Sequence, residues 1–190
     1  MLWILLACTG TDAEPQDTQQ DSSPPVDSDE PRECEALDVA TALESGVWAF
    51  GIDQAEFNDC ENSAGKGLHI HVGEDTLVDL VRDGTCLDGV SDPGSEQEMI
   101  FEGETDGSAV SLQGSVVRLE IGTCVVGVSA ALTGTMIDAS TMEYRMDATA
   151  DILEELSPDA CSYIIGETEN HTFPALPCEQ AWTGVGHLTD

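Results

Sequence analysis

Two histidines separated by a single residue are the side chains in this sequence best suited to bind a metal ion. In the stretch "GLHIHVGED", His69 and His71 share one face if the segment is a strand, because alternate residues of a strand point the same way. Two imidazoles at this spacing can bind one metal ion, and Glu74 or Asp75 is close enough in sequence to add a carboxylate. The pattern raises the hypothesis of a metal-dependent hydrolase that uses His69 and His71.

Histidines elsewhere in the chain could complete such a site. His171 and His187 are the candidates for ligands from distant parts of the sequence. The alternative interpretation is structural, because Leu68, Ile70 and Val72 would fill the buried face of the same strand. We favour the structural interpretation, since an H-x-H pair alone is a weak signal for a metal site.

An acidic stretch, "EGETDGSAVSLQ" at residues 102–113, has the carboxylate spacing of a calcium loop, with Gly107 in sixth place. Its last residue is Gln113 where such a loop has glutamate, and strand patterns flank it, so we predict a hairpin turn instead. The sequence also lacks a G-x-S-x-G elbow and a phosphate-binding glycine loop. We therefore predict a non-enzymatic protein without catalytic residues or cofactor, with Ca²⁺ or another divalent cation as the alternative left open.

The cysteines indicate an oxidising compartment. The chain has seven, none of them in a C-x-x-C pair, which argues against zinc-ribbon and thioredoxin patterns. Apart from Cys8, the cysteines form an even set spread over the rest of the chain, as in a disulfide-bonded secreted domain. The predicted disulfide cysteines are Cys34, Cys60, Cys86, Cys124, Cys161 and Cys178. Of the pairings, Cys124–Cys161 follows from a hairpin that returns the chain past Cys124, and we expect Cys34–Cys178 and Cys60–Cys86 for the others.

The charge balance excludes one class of partner. The chain has 38 acidic and 5 basic residues, for a formal net charge of −33. Such a surface repels phosphate backbones, so nucleic acid is not expected to bind. Two interpretations stay open, a solvated acidic surface of the halophile type or a surface that takes up divalent cations.

The first residues carry a targeting motif. Leu5-Leu6-Ala7-Cys8 resembles the lipobox of bacterial lipoproteins, in which the cysteine becomes the first residue of the mature chain and carries the lipid. The resemblance implies a signal peptide at residues 1–7, lipidation of Cys8 and, because Thr9 is not aspartate, an outer-membrane anchor with the protein periplasmic or surface-exposed. The apolar run is shorter than that of a usual signal peptide, so we expect the true start codon to lie upstream.

Residues 8–33 form a linker in this interpretation. They are rich in proline, serine, glutamine and acidic residues and almost free of large apolar side chains. Such a segment cannot bury enough apolar surface to offset its conformational entropy, and we predict a disordered acidic tether. Residues 34–190 then form one disulfide-bonded domain.

The domain has the pattern of an all-β protein. In "MEYRMDATADI", apolar and polar residues alternate from Met142 to Ile152, which predicts a half-buried strand. The preceding run alternates too, and "DAS" between them predicts a hairpin turn. Similar alternation occurs at residues 48–52, 68–72, 99–101, 110–112 and 117–121, and a change of parity at Gly114 predicts a bulge or a tight turn. We predict an antiparallel meander barrel or sandwich of about seven to nine strands.

One short helix is expected before the first strand. Leu37, Ala40 and Leu43 have helical spacing, and Gly46 follows where a helix would end. After it, Gly46-Val47-Trp48 is similar to the G-x-W signature of lipocalins, whose meander barrel holds an apolar ligand. The late arginine of that family has no counterpart, because Arg145 is the last arginine.

Three functional hypotheses follow. The first, which we favour from the sequence, is a lipid-anchored envelope protein that displays the acidic β domain for interaction with a protein, a glycan or a cation, without enzymatic activity. The second is a lipocalin-like carrier of a small apolar ligand, which requires an apolar cavity inside the sheet. The third is the metal-dependent hydrolase that uses His69 and His71.

Overall fold

The computed structural model describes residues 32–95, 97–157 and 159–189, and these residues form one antiparallel sheet of nine strands. The predicted all-β class is therefore confirmed. The strands are β1 (Gly46–Asn58), β2 (Asp75–Asp83), β3 (Cys86–Ser91), β4 (Met99–Thr105), β5 (Ala109–Gly114), β6 (Val117–Ile121), β7 (Cys124–Asp138), β8 (Thr141–Glu155) and β9 (Cys178–Leu188).

The strands pair with their neighbours in sequence for most of the sheet. The order across the sheet is β5-β4-β3-β2-β1-β9-β8-β7-β6, and β5 pairs in addition with β7. Residues 109–113 of β5 lie opposite residues 131–135 of β7, whereas β6 lies opposite the beginning of β7. The hydrogen-bonded pairings thus run in a continuous circuit from β1 through β2, β3, β4, β5, β7, β8 and β9 back to β1.

The hairpin of β7 and β8 is the longest element, and it was predicted from alternation. Inward residues of β8 from Met142 to Ala150 are buried at every second position. The turn between the strands is stabilised by Asp138, whose Oδ1 accepts hydrogen bonds from the backbone N–H and the hydroxyl of Ser140, at 2.8 and 2.9 Å. These hydrogen bonds lower the pKa of Asp138.

The break between β5 and β6 confirms the bulge predicted at Gly114. A Cβ at this position would lie 2.4 Å from the sulfur of Met99 and 3.0 Å from the carbonyl oxygen of Ala130. A larger residue would have to displace the side chain of Met99 on β4 and would press against the backbone of β7. Beyond the break, Val117 resumes the buried positions, so β5 and β6 follow the same neighbour with shifted parity.

Two apolar clusters fill the inside of the sheet. The larger surrounds Trp48 and Phe50, which are fully buried, and the indole N–H of Trp48 donates to the carbonyl oxygen of Glu44 at 3.0 Å. The smaller lies at the other end, where segments 59–74 and 159–177 pack on β7 and β8 through Leu68, Ile164 and Phe173. We call these two segments the cap.

The prediction of an N-terminal helix is wrong. No helix occurs in the described part of the chain, and in particular none that is long and apolar enough to cross a membrane. The segment is instead bound to the β2–β3 hairpin, because Cys34 is disulfide-bonded to Cys86. In addition, the N–H of Glu35 donates to the hydroxyl of Thr85, and the carbonyl oxygen of Glu35 accepts from the N–H of Thr85. Leu43 is fully buried at its end, so the apolar spacing reflects tertiary contacts and not a helical face.

The strand predicted at residues 68–72 is also wrong. Leu68 is buried, but Val72 is 58% exposed, and the segment is a loop of the cap. Gly67 and Gly73 on either side have φ angles of +119° and +88°, which interrupt an extended chain.

The six cysteines of the domain form three disulfides, as predicted, but two of the three pairings differ from the expectation. Cys124–Cys161 is confirmed, whereas the other bonds are Cys34–Cys86 and Cys60–Cys178. Cys60 belongs with Cys178 because the end of β1 pairs with the beginning of β9, with Asn58 opposite Gln180. Residues 1–31, with the predicted signal peptide, Cys8 and most of the linker, lie outside the described residues.

Candidate ligand-binding cavity

An internal cavity of about 80 Å³ lies where the two apolar clusters meet. Inward side chains of the sheet surround it, and Leu68 of the cap covers one side. Its apolar lining is dominated by aromatic and methionine side chains: Phe50, Met99, Phe101, Tyr144, Met146 and Trp182. The space exists because Ala130 and Ala148 occupy inward positions of β7 and β8, where larger side chains would fill the sheet.

One polar group in the lining is not satisfied. Gln180 of β9 is 5% exposed, and its side-chain oxygen Oε1 has no hydrogen-bond partner among the residues that the structure describes. Gln180 lies opposite Ala148 of β8, beside the cavity that both residues line. A buried acceptor of this kind costs about 1–3 kcal/mol when it is left unpaired.

The tyrosine of the lining is already paired. The hydroxyl of Tyr144 donates to the carbonyl oxygen of Gly51 at 3.1 Å. Burial raises the pKa of Tyr144 well above its usual range, and the carboxylates of Asp53 and Asp75 add to the effect. Tyr144 is therefore a neutral donor committed to the backbone of β1, and it does not serve Gln180.

Polar residues gather at one end of the cavity. Thr76 begins β2, Asp92 follows β3, Gln97 precedes β4, and His69 belongs to the cap. All four are half-buried, and the ends of β2, β3 and β4 lie side by side because Val78, Ser91 and Met99 are in register. We call these four residues the rim.

The two histidines of the H-x-H pair lie close together, although not on a strand. Their ring centres are 5.7 Å apart, and Nδ1 of His69 lies 3.5 Å from Oε2 of Glu61. Among the described residues, however, no group of three or more His, Cys, Asp and Glu side chains is arranged to hold a metal ion. Of the two histidines, only His69 lines the cavity, as part of the rim.

The distant histidines do not join the pair. His187 lies near the end of β9 and pairs with Ala49 and Thr141, at the end of the sheet opposite the cap. His171 belongs to the cap, but its Nδ1 is hydrogen-bonded to the hydroxyl of Thr168 at 2.9 Å. Glu74 and Asp75, the predicted carboxylate ligands, lead into β2.

The acidic stretch at residues 102–113 is the β4–β5 hairpin, as predicted. Asp106 at its turn accepts hydrogen bonds from the backbone N–H groups of Ser108 and Ala109, at 2.8 and 2.7 Å. These bonds hold the pKa of Asp106 below its usual value. The carboxylate of Asp106 therefore stabilises the turn.

Sequence reasoning missed Gln180 and the cavity. Strand β9 was not predicted, because its inward positions hold Gln180 and two glycines, Gly184 and Gly186, which hide the alternation. One signal of Gln180 was nevertheless present in the sequence. Residues two apart on a strand share a face, so Gln180 lies on the same inward face as the apolar Trp182, where a polar side chain is unusual.

No protein-family model matches the chain, and no curated protein or solved structure matches it either. A functional hypothesis therefore rests on the cavity and on the sequence.

Proposed function

We propose that the domain is a closed β-barrel that binds a small, mainly apolar ligand in its interior, without catalysis. The circuit of strand pairings, which returns from β9 to β1 and joins β5 to β7, supports closure of the sheet. The observation that carries the function is the apolar cavity at its centre. Binding sites for small molecules are concave, mostly apolar and fitted with few polar groups.

The volume limits the ligand. A cavity of about 80 Å³ is roughly half of an engineered 150 Å³ cavity that binds benzene. It therefore suits a short or slender apolar group of a few carbon atoms, with any remaining part of the ligand at the rim. Met99 and Met146 add adaptability, because unbranched methionine side chains repack easily around different shapes.

The cap supplies a rigid cover beside the rim. Asn62, which is 3% exposed, joins its two segments by donating to the carbonyl oxygen of His171 at 2.9 Å and of Thr168 at 3.2 Å. The disulfides Cys60–Cys178 and Cys124–Cys161 fix the same segments to the strands. A ligand that enters between the rim residues therefore does not have to displace the cap.

Among the three hypotheses, this proposal is the lipocalin-like carrier. Its requirement was an apolar cavity inside the sheet, and such a cavity is present. Display of the acidic surface for interaction with a protein or a glycan stays a prediction, since no feature of the described surface singles out a partner. The hydrolase would need a third metal ligand beside His69 and His71.

We further propose that a lipid on Cys8 anchors the domain at the bacterial outer membrane. The supporting observations are the lipobox-type sequence and the three disulfides, which require an oxidising compartment. Expressed in a bacterium behind a complete signal peptide, the protein should incorporate labelled fatty acid and enter the detergent phase. The Cys8→Ser variant should lose the label, and a label that persists contradicts the anchor.

Ligand binding can be tested by nuclear magnetic resonance with the full-length protein and 1-butanol. Saturable chemical-shift changes are expected at Met99, Met146 and Ala148, which line the cavity, and not on the outer face of the sheet. The variant Ala148→Leu should abolish them, because three added carbon atoms occupy the cavity.

The control is Ala55→Leu on β1, where the alanine is exposed and does not line the cavity. This variant should bind 1-butanol like the wild type. Shifts that increase linearly with concentration, or that survive in Ala148→Leu, contradict the proposed function.

A further inference from the structure

We propose that the ligand carries an uncharged hydrogen-bond donor, a hydroxyl or an N–H group, that pairs with Oε1 of Gln180. The cavity then selects small neutral alcohols or amides over hydrocarbons, ethers and carboxylates. This inference rests on the proposed function and specifies the ligand class of the same site.

Gln180 presents an unpaired acceptor to the cavity. Oε1 of Gln180 is buried at the cavity and has no partner within the described part of the chain. One donor of the apolar lining, the Tyr144 hydroxyl, is used by the carbonyl oxygen of Gly51. Buried polar groups are nearly always paired in folded proteins, so an unpaired one calls for a partner such as a ligand or a water molecule.

A donor on the ligand gains more here than a hydrogen bond gains at a surface. In water the donor gives up one hydrogen bond and recovers one in the cavity. The protein gains as well, because Oε1 of Gln180 was desolvated by folding and left unpaired. A ligand without a donor leaves this acceptor unpaired, so the site discriminates against it.

The charge of the ligand is restricted by the same surroundings. A carboxylate would place a second acceptor against Oε1, lose its hydration in an apolar lining, and approach a chain of formal net charge −33. An ammonium group that entered the apolar lining would give up most of its hydration for one neutral acceptor, because the carboxylate of Asp92 belongs to the rim. The neutral donor is the group that fits.

The test uses constitutional isomers. 1-Butanol and methyl propyl ether have the same atoms, but only the alcohol has a donor. Their dissociation constants are measured by chemical-shift titration of the full-length wild type and of Gln180→Met, in which a side chain of similar length has only a weakly accepting sulfur. Because the two isomers differ in hydration, the informative quantity is how their affinity ratio changes between the two proteins.

We expect the ratio to favour the alcohol about tenfold more in the wild type than in Gln180→Met. Gln180→Leu should behave like Gln180→Met, and the control Gln54→Met, on the exposed part of β1, should keep the wild-type ratio. Butanoate should bind the wild type more weakly than 1-butanol.

The outcomes separate the two proposals. If both isomers bind saturably with the same ratio in the wild type and in Gln180→Met, the cavity is a binding site but the assignment of Gln180 is overturned, as when a water molecule pairs with it. If butanoate binds as tightly as 1-butanol, the restriction to neutral ligands is overturned. If neither isomer binds saturably, the proposed function itself fails.

Discussion

Filling the cavity should make the protein more stable while it removes binding. Ala148 is 4% exposed and lines the cavity from β8. Ala148→Leu adds three carbon atoms. Removing a cavity of about 80 Å³ at ~24 cal/mol per Å³ gains about 2 kcal/mol, and burying three carbons at ~0.8 kcal/mol each gains about as much again. Strain from imperfect fit costs about 1–3 kcal/mol. We therefore expect a net gain of about 1–3 kcal/mol in the free energy of unfolding.

The gain can be measured by urea denaturation at equilibrium, with an unchanged slope as evidence that the same structure unfolds. Ala55→Leu, at an exposed position of β1, should change stability by less than about 0.5 kcal/mol. A loss of more than about 1 kcal/mol in Ala148→Leu at an unchanged slope would refute the reasoning, because the space beside Ala148 would then be too small or wrongly shaped for the added atoms.

Three further predictions concern the whole domain. Replacing Cys60 and Cys178 together by serine should lower the free energy of unfolding by about 4–5 kcal/mol, because their bond closes a loop of 118 residues; a loss below about 1 kcal/mol would show that the cap is held by packing alone. The melting temperature should rise between 0.1 M and 1 M salt, because the screening length falls from about 10 Å to about 3 Å and the repulsion between carboxylates weakens. Few carboxylates are neutralised by pairing, since the arginine–carboxylate pairs of the described residues involve only Arg32, Arg118 and Arg145. A melting temperature that does not change with salt contradicts this repulsion. Asp106 and Asp138 have lowered pKa values, so their contribution to stability is present above the ordinary aspartate pKa of 3.8 and is lost as pH falls through the folded pKa. In acid titrations below pH 4, Asp138→Ala should show a shallower loss of stability than the wild type, and identical curves would exclude the turn as the cause.

The part of the fold that could be predicted is the part in which apolar side chains alternate without exception. β8 has an apolar residue at every inward position from Met142 to Ile152, and the period of two identified it at once. The irregularity at Gly114 was equally visible, because the parity of the inward residues changes there; β5 and β6 have one residue more than β7 between Gln113–Ala131 and Val117–Val128.

The errors arise where tertiary contacts decide. Leu37, Ala40 and Leu43 fit a helix by spacing, but the segment is bound to the β2–β3 hairpin through Cys34 and Glu35 and forms only a turn at residues 40–41. The alternation at residues 68–72 predicts a strand, but only Leu68 is buried there. In both cases the pattern was local, and the partner that decides the conformation lies far away in the sequence.

The candidate site was the least predictable part. A cavity is a volume left over after packing, so it depends on how side chains from several strands meet and not on any one stretch. Small inward residues such as Ala130 and Ala148 show where space is available, but the sequence does not say whether a neighbour fills it. Of the two histidines that were candidates for metal ligands, only His69 lines the cavity, at the rim.

The order of the disulfides along the chain has a consequence for how the protein matures. Cys34–Cys86 and Cys60–Cys178 interleave, and only Cys124–Cys161 joins consecutive cysteines of the domain. If the chain crosses a membrane from its N-terminus, Cys34 and Cys60 enter the oxidising compartment before Cys86. Oxidation in the order of entry therefore forms the non-native bond Cys34–Cys60. Reaching the native bonds then requires exchange through mixed disulfides. Efficient production of this domain should depend on a thiol–disulfide isomerase in the compartment, and an oxidase alone should yield scrambled chains.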